Sequence, residues 1–468
     1  MVPTWIERRA LAQPRLLAVF ALATVPMELS ATACSLMLTN QFGLASRPEY
    51  LTAFYTVLFA VSSLRPLYAF WIDWTVAFNL SRRFHAAAAN ACAALLTLAS
   101  AFAASAGSLV ALTVAANVAQ AYAETATDGL LVRQACGHRR KAGLMQAEAF
   151  ATRTLGSLLS ATGVTACLAL DSPPQRMLAL AAMCPAIGAV VVYGVVETNH
   201  RPSPSATVDS DIAAPLAPFS ERLAHLLKGQ RGWHLLVAIS MAVAATLLPT
   251  ASDTYAAFLY SGAIPKWALG ARQELSMAGS LLGALTYRKL ALGPRSAFCS
   301  GAAVWALAGA LSAVVASQPQ ILSLGVCEAF LGGFGMAYGY LPIPAIAAAA
   351  SPAGTETLAF SMVIGAADVS GLASAAASAA LVRAWRIGAP PDRSWAHLPR
   401  LILLGSLGKL APIILAALSL GLTGDWGLGG GVGNDAAASA RSGPSSDDDD
   451  GCNPSEMPLL LSGVNHPC

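Results

Sequence analysis

Apolar stretches long enough to cross a bilayer recur about twelve times along this chain, and a helix needs roughly 20 such residues to span hydrocarbon. The stretches come as blocks, not as the one-sided stripes of helices packed on a soluble core. Their approximate bounds are 16–39, 50–71, 84–105, 108–132, 144–169, 176–196, 233–258, 274–292, 297–316, 320–348, 355–382 and 399–421. Charged residues make up 11% of the 468 positions and hydrophobic ones 56%, against about 25% charged in an ordinary soluble domain. The mean hydropathy is +0.58. An all-α membrane protein with about 12 transmembrane helices accommodates that pattern.

A polar segment, 197–232, rich in Pro, Ser and charge, separates the sixth block from the seventh. The expected organisation is an N-terminal six-helix bundle over 1–196, a cytoplasmic linker over 197–232, a C-terminal six-helix bundle over 233–421 and a tail over 422–468. Two six-helix bundles joined by a loop is the layout of the major facilitator transporters. The tail is Gly-, Ala- and Ser-rich and contains Asp447 to Asp450, so it lacks the apolar residues to bury a core.

Lys and Arg in short loops set orientation. With the N-terminus inside, the cytoplasmic side holds Arg8, Arg9, Arg15, Arg82, Arg83, Arg133, Arg139, Arg140 and Lys141, among others. Cytoplasmic charges then outnumber external ones by about two to one. The external set includes Arg272 and a cluster at Arg383, Arg386, Arg393 and Arg400.

Other classes find little support. A net charge of +3 gives no basic surface for nucleic acid. The nine cysteines form no CxxC and no Cys/His cluster, so no metal site is expected and they read as small hydrophobes. No nucleophile–base pair marks a catalytic site, and no cofactor is implied. The first block is too long for a signal-peptide core and carries Glu28. Glu456 with Leu460 and Leu461 matches an acidic dileucine signal, a pattern short enough to arise by chance.

Ionisable groups inside spans are the informative residues. Each costs roughly 2.5–3.5 kcal/mol at a helix centre on insertion scales, so it faces a partner or a watery cavity. The candidates are Glu28, Arg65, Glu124, Asp128, Glu148, Arg153, Asp253, Glu356, Asp368 and Lys409. Asn117, Gln120, Glu124 and Asp128 stack on one helix face at steps of three, four and four. At about 1.5 Å per residue, Glu124, Arg153 and Arg65 share a depth. That points to a binding site containing a Glu124–Arg153 pair, with an inter-helix hydrogen-bond seam as the alternative.

Three passages carry a family likeness. Leu64-Arg65-Pro66-Leu67-Tyr68-Ala69-Phe70-Trp71-Ile72-Asp73 is followed by the basic pair Arg82 and Arg83. Glu124 leads through Thr127, Asp128, Gly129, Leu130, Leu131 and Val132 towards Arg153-Thr154-Leu155-Gly156-Ser157. The third passage joins Leu341-Pro342-Ile343-Pro344, Ser351-Pro352-Ala353-Gly354-Thr355-Glu356, Phe360 and Ser361. Over about residues 16–420 the chain resembles the folate–biopterin transporter family of the major facilitator superfamily. Departures include Arg65 for a usual Lys, Ala69 for Gly, Ile72 for Ser, Gly129 for Ala, Ser351 for Cys and Asp368 for Asn.

The resemblance implies a multi-pass carrier of folates or pterins working by alternating access, in a plasma, organelle or plastid membrane. Substrate contacts are expected at Arg65, Tyr68, Glu124, Asp128 and Arg153. A conformational lock is expected at Asp73, Arg82 and Arg83, and ion coupling at Glu28, Asp368 or Lys409. The partners are then the lipid bilayer and a small molecule, and a monomer suffices. A carrier of another metabolite such as S-adenosylmethionine, or a transport-inactive receptor or scaffold, is the alternative.

Orientation yields a direct test. Asn79-Leu80-Ser81 is a glycosylation sequon in a loop expected to face the cytosol. Expressed in a glycosylating host, the chain should show no glycosidase-sensitive mass at Asn79, and a glycan there would invert the assigned topology.

Overall fold

Prolines mark where many of the apolar blocks begin, bend or break. In the computed structural model, residues 12–42, 54–135 except 55, 59, 77 and 79, 139–195, 219–259, 266–290, 293–318, 322–351, 355–388, 394–411 and 413–414 are described. The tail and most of the expected linker lie outside them. So do the side chains of Glu28 and Asp253.

The described elements are helical and belong to one compact unit, residues 1–428. The N-terminal set is α1 (Pro14–Leu36), α2 (Arg65–Val76), α3 (Arg82–Ser100), α4 (Ala106–Ala135), α5 (Arg139–Ala169) and α6 (Pro174–Tyr193). A short helix, α7 (Phe219–Leu226), follows inside the segment expected to be linker. Then come α8 (Gly229–Thr246), α9 (Ser252–Phe258), α10 (Lys266–Leu290), α11 (Pro294–Ser317) and α12 (Leu322–Tyr340). The last are α13 (Pro342–Ala350), α14 (Glu356–Ala384) and α15 (Leu398–Gly408).

Helices α1, α6, α11, α13 and α15 carry a proline in the first turn, where its missing N–H costs nothing. Two expected single spans are split. The seventh becomes α8 and α9, parted by the non-helical stretch around Pro249, and the tenth becomes α12 and α13 at Leu341, just before Pro342. The second span also departs from expectation. A turn at Ser63 and Leu64 precedes α2, because Pro66 cannot donate into the preceding turn, and α2 then runs past residue 71 to Val76. Arg82 and Arg83 form the first turn of α3, not a loop.

Among the described residues, six helical stretches are long and apolar enough to cross a membrane, α12 and α13 counting as one. The other expected spans fall on helices that are shorter, interrupted or more polar. The exterior is apolar: Leu95, Phe102, Leu170 and Val190 are each at least 70% exposed. Meanwhile Arg82, Asp73, Asp128, Glu328 and Glu356 are buried. Apolar outside and charged inside is the reverse of a soluble domain and fits a lipid solvent.

Helices α1, α3, α4, α5 and α6 pack on one another, as do α10, α11, α12 and α15. The early and late parts of the chain meet where α2 and α4 pack on α14 and where α5 packs on α10 and α13. Glycines set the closest approaches, as small residues do where lipid supplies no hydrophobic drive. A Cβ on Gly333 would strike the backbone of Ser276 on α10. Gly335 and Gly339 lie against Trp305 and Gly301 on α11. A Cβ on Gly365 of α14 would sit 2.8 Å from the Pro66 ring, which seats α2.

This packing separates two kinds of glycine. Gly333→Ala should lower thermal stability in detergent by about 1–3 kcal/mol equivalent, through overpacking. Gly371→Ala, in α14 with open space around it, should be neutral or slightly stabilising through helix propensity. Paired unfolding curves check both.

Candidate functional site

Arg65 stands at the first residue of α2, directly after the turn, and its guanidinium reaches carboxylates on two other helices. Nη2 donates to Glu124 Oε2 at 2.6 Å, Nη1 lies 3.7 Å from Asp128 Oδ2, and Nε lies 3.4 Å from Asp368 Oδ2. Glu124 and Asp128 come from one face of α4, and Asp368 from α14, three residues beyond the Gly365 that admits Pro66. Asp128 also accepts a hydrogen bond from Arg153 Nη2 of α5 at 2.5 Å. The contacts form a chain, Arg153–Asp128–Arg65–Asp368, with Glu124 on Arg65.

Sequence spacing puts Glu124, Arg65 and Arg153 at one depth, and they do meet here, but with other pairings, and Asp368 joins them from the set expected for ion coupling. Glu124 pairs with Arg65, and Arg153 pairs with Asp128. Arg153 enters from α5, and the step from Glu124 to Asp128 is one helical turn. The polar stripe on α4 divides its work. Asn117 Nδ2 donates to its own helix at Thr113 O, while Gln120 Nε2 donates to Ala23 O on α1 and to Glu124 Oε1.

Aromatic groups border the network. The Arg153 guanidinium lies 4.4 Å from the centroid of Phe20 on α1, a cation–π contact. Gly156 permits it, since a Cβ there would meet Ala21 O and Thr24 Oγ1, and Thr24 Oγ1 donates to Arg153 O. Tyr68 lies 5.8 Å from Tyr122, and Tyr122 hydrogen-bonds His85 Nδ1 at 3.0 Å. Tyr340 lies within electrostatic reach of Asp368, Arg65, Arg153 and Asp128. Phe20 and Tyr340 carry no sequence signal distinguishing them from other aromatics in apolar blocks. Trp71, three residues beyond Tyr68, is half-exposed and lies against Trp74.

A second cluster lies about two turns further along α2 and about three turns back along α14, joined by Arg82 of α3. Arg82 is 2% exposed, and its Nη2 donates to Asp73 Oδ1 at 2.9 Å and to Glu356 Oε2 at 3.0 Å. Its Nε donates to Thr357 Oγ1. Asp73 Oδ2 accepts from the Leu358 N–H at 2.9 Å, one of the otherwise orphaned donors at the start of α14. A carboxylate there also meets the positive end of the helix dipole. Arg83, expected to share this cluster, lies instead over the Tyr193 ring at 5.7 Å. Its direction follows from the helix: neighbouring residues point about 100° apart.

A third link joins α5 to α10: Arg288 Nη2 lies 3.1 Å from Glu148 Oε1, and Glu148 Oε2 accepts from the Ala12 N–H. A further buried cluster escaped the sequence reading. Arg272 of α10 makes a bidentate pair with Glu328 of α12 at 3.1 and 3.0 Å, and Ser312 Oγ donates to Glu328 Oε1. Arg272 lies two residues before the apolar block that begins at 274, so hydropathy alone places it in an external loop. Glu328, a carboxylate inside an apolar block, was visible as such. Lys409 lies near this group, 4.5 Å from the Trp305 ring centroid. It thus sits apart from Asp368, with which it was grouped.

The corrected pairing can be tested. Arg153→Gln removes the hydrogen-bonded partner of Asp128 and leaves it only Arg65 Nη1 at 3.7 Å, and breaking a buried pair outright typically costs ~3–5 kcal/mol. Asp128→Asn should recover thermal stability in the double variant, whereas Glu124→Gln should not. Unfolding midpoints of the two double variants decide between the pairings.

The BT1 family profile matches residues 25–422. The human organic anion transporter MFSD10 (TETRAN) superposes with a TM-score of 0.64 at 15% identity, covering 86% of this chain and 100% of that one. The E. coli fucose:proton symporter FucP gives 0.59 at 15% identity, covering 86% and 97%. The nucleoside transporter NupG gives 0.55 at 14% identity, covering 88% and 99%. At such identities these likenesses speak for the fold alone, which is that of the major facilitator transporters. No curated protein matches the chain by sequence.

Proposed function

The chain belongs to the BT1 family, the folate–biopterin transporters, and from that premise we propose that this multi-pass membrane transporter carries folates or pterins. One observation carries the reading: a buried network of two guanidiniums and three carboxylates, drawn from helices early and late in the chain. Facilitator-type carriers hold substrate between their two halves near the midplane.

Folates match that chemistry. A pterin ring offers adjacent N–H donors to a carboxylate, and its face can stack on an aromatic ring such as Tyr68. The glutamate tail offers carboxylates that a guanidinium grips in bidentate fashion. Arg153 suits that grip. Its side chain is 28% exposed, and it gives Asp128 a single hydrogen bond.

In this proposal residues 1–196 and 233–421 are the two rocking bundles. The Asp73–Arg82–Glu356 cluster and the Glu148–Arg288 pair are cytoplasmic latches, made in the inward-closed state and broken on opening. Three carboxylates against two guanidiniums leave one negative charge in the network, which gives a co-transported proton a place to bind.

Labelled folate uptake in a transport-deficient host, with surface expression measured alongside, tests the assignment. Wild type should accumulate label. Arg153→Ala should abolish uptake, and Arg153→Lys should recover little, since an ammonium cannot form the fork. Asp73→Asn should keep apparent affinity and slow turnover. Expressed, folded wild type that moves neither folate nor pterin would defeat the substrate assignment.

A further inference from the structure

The network is not uniformly satisfied, and the difference gives it a direction. Its centre is closed: Asp128 is 4% exposed and engaged by both arginines, and Glu124 is 14% exposed and held by Arg65 and Gln120. Its two ends are open, Arg153 at 28% and Asp368 at 29% side-chain exposure. The Arg153 end is cationic and the Asp368 end anionic.

Asp368 is the carboxylate with unspent capacity. Among the described residues neither of its oxygens accepts a hydrogen bond, and Oδ2 is a buried acceptor without one. Its nearest cation, Arg65 Nε at 3.4 Å, is itself a buried donor without a hydrogen bond, so the pair is close but misaligned. A carboxylate offers about four acceptor positions, and a buried polar group left unmade costs free energy. The surplus negative charge of the network falls at this end, because Glu124 and Asp128 are each matched to a guanidinium in hydrogen-bond geometry.

We propose that Asp368 is the substrate-facing carboxylate of the site, and that it takes an amidine-like edge, two adjacent N–H donors carrying partial or full positive charge. Glu124 and Asp128 then hold the guanidiniums in place and do not touch that edge. The ligand is bipolar, with its anionic group at Arg153 and its N–H edge at Asp368. This rests on the transport reading above and adds the polarity of binding. The amino and ring N–H groups of a pterin form such an edge, and so does any amidinium. The Asn usual in the resembled family could accept only one of the two N–H groups, so the second, charge-assisted contact belongs to this chain's carboxylate.

Equilibrium binding to purified wild type and to Asp368→Asn tests it. The probes are folic acid, pterin, 4-aminobenzoylglutamate (the tail without the ring), benzamidine and the neutral benzamide. The substitution keeps shape and leaves Arg65 two carboxylates, and matching unfolding midpoints would verify that the variant is folded. Wild type should bind folic acid and pterin, and should bind benzamidine over benzamide. Asp368→Asn should weaken folic acid and pterin about 10–100-fold, the range for a charge-assisted hydrogen bond. It should leave 4-aminobenzoylglutamate unchanged and erase the benzamidine preference.

Equal folic acid and pterin affinity in the two proteins would overturn the assignment of Asp368 while leaving the transport reading intact. Wild type that binds neither folic acid nor pterin would end the folate reading instead. Asp368 would then be judged on the amidine pair alone. A benzamidine preference lost on substitution upholds its role, and no preference in wild type rejects it.

Discussion

An ion buried without a partner is among the most expensive things a membrane protein can hold, and the arrangement of this chain follows from avoiding it. Arg65 serves three carboxylates, Arg82 serves two and a hydroxyl, and Arg272 takes one in bidentate fashion. Each cluster ties helices far apart in sequence: residue 65 to 368, 82 to 356, 148 to 288 and 272 to 328. The apolar exterior leaves such charges nowhere else to go. Pairing of ions therefore decides which helices meet, and the apolar side chains fill around those meetings.

Close approach is the second requirement, since a guanidinium reaches only a few ångströms beyond its helix. Glycines at the crossing points provide it. Gly365 seats Pro66 and so brings Arg65 against Asp368, and Gly156 lets α5 close on α1 and lays Arg153 over Phe20. Pro66 acts twice, breaking the helix before Arg65 and packing into the space Gly365 leaves. A chain reading only hydropathy would treat these residues as filler.

Two helices carry residues of both the mixed-charge network and the Arg82 cluster. Helix α2 holds Arg65 and Asp73, and α14 holds Glu356 and Asp368. Asp73 binds the first turn of α14 through Leu358 N–H while Arg65 faces Asp368 further along it. A displacement of α2 along α14 changes both contacts at once. In the transport cycle proposed above, that shared pair of rigid helices links occupancy of the site to opening of the latch without any relay of side chains between them. The links are also unequal. Arg82 is almost wholly buried, whereas Arg288 is 42% exposed, so solvent screens the α5–α10 link far more than the Arg82 cluster.

Block length and scarcity of charge alone determined that the chain is an all-α membrane protein: only helices and closed barrels satisfy every backbone group in lipid, and barrel strands alternate in polarity and do not run as apolar blocks of about 20 residues. The same pattern named most of the costly residues, Glu328 and Arg272 excepted: a Glu or Arg inside an apolar block stands out in one dimension. Helical spacing placed Glu124 and Asp128 on one face, and the family resemblance, not spacing, grouped Asp73 with Arg82. Which ion met which was decided only in three dimensions. Arg65 took Glu124 and Arg153 took Asp128 because helix entry, the break at Pro66 and the glycine contacts set side-chain reach to within an ångström, and spacing along one helix carries no such information. Asp368 joined Arg65, and Lys409 joined Trp305, for the same reason. The sequence states what must be paired, and the packing of glycines and prolines states with whom.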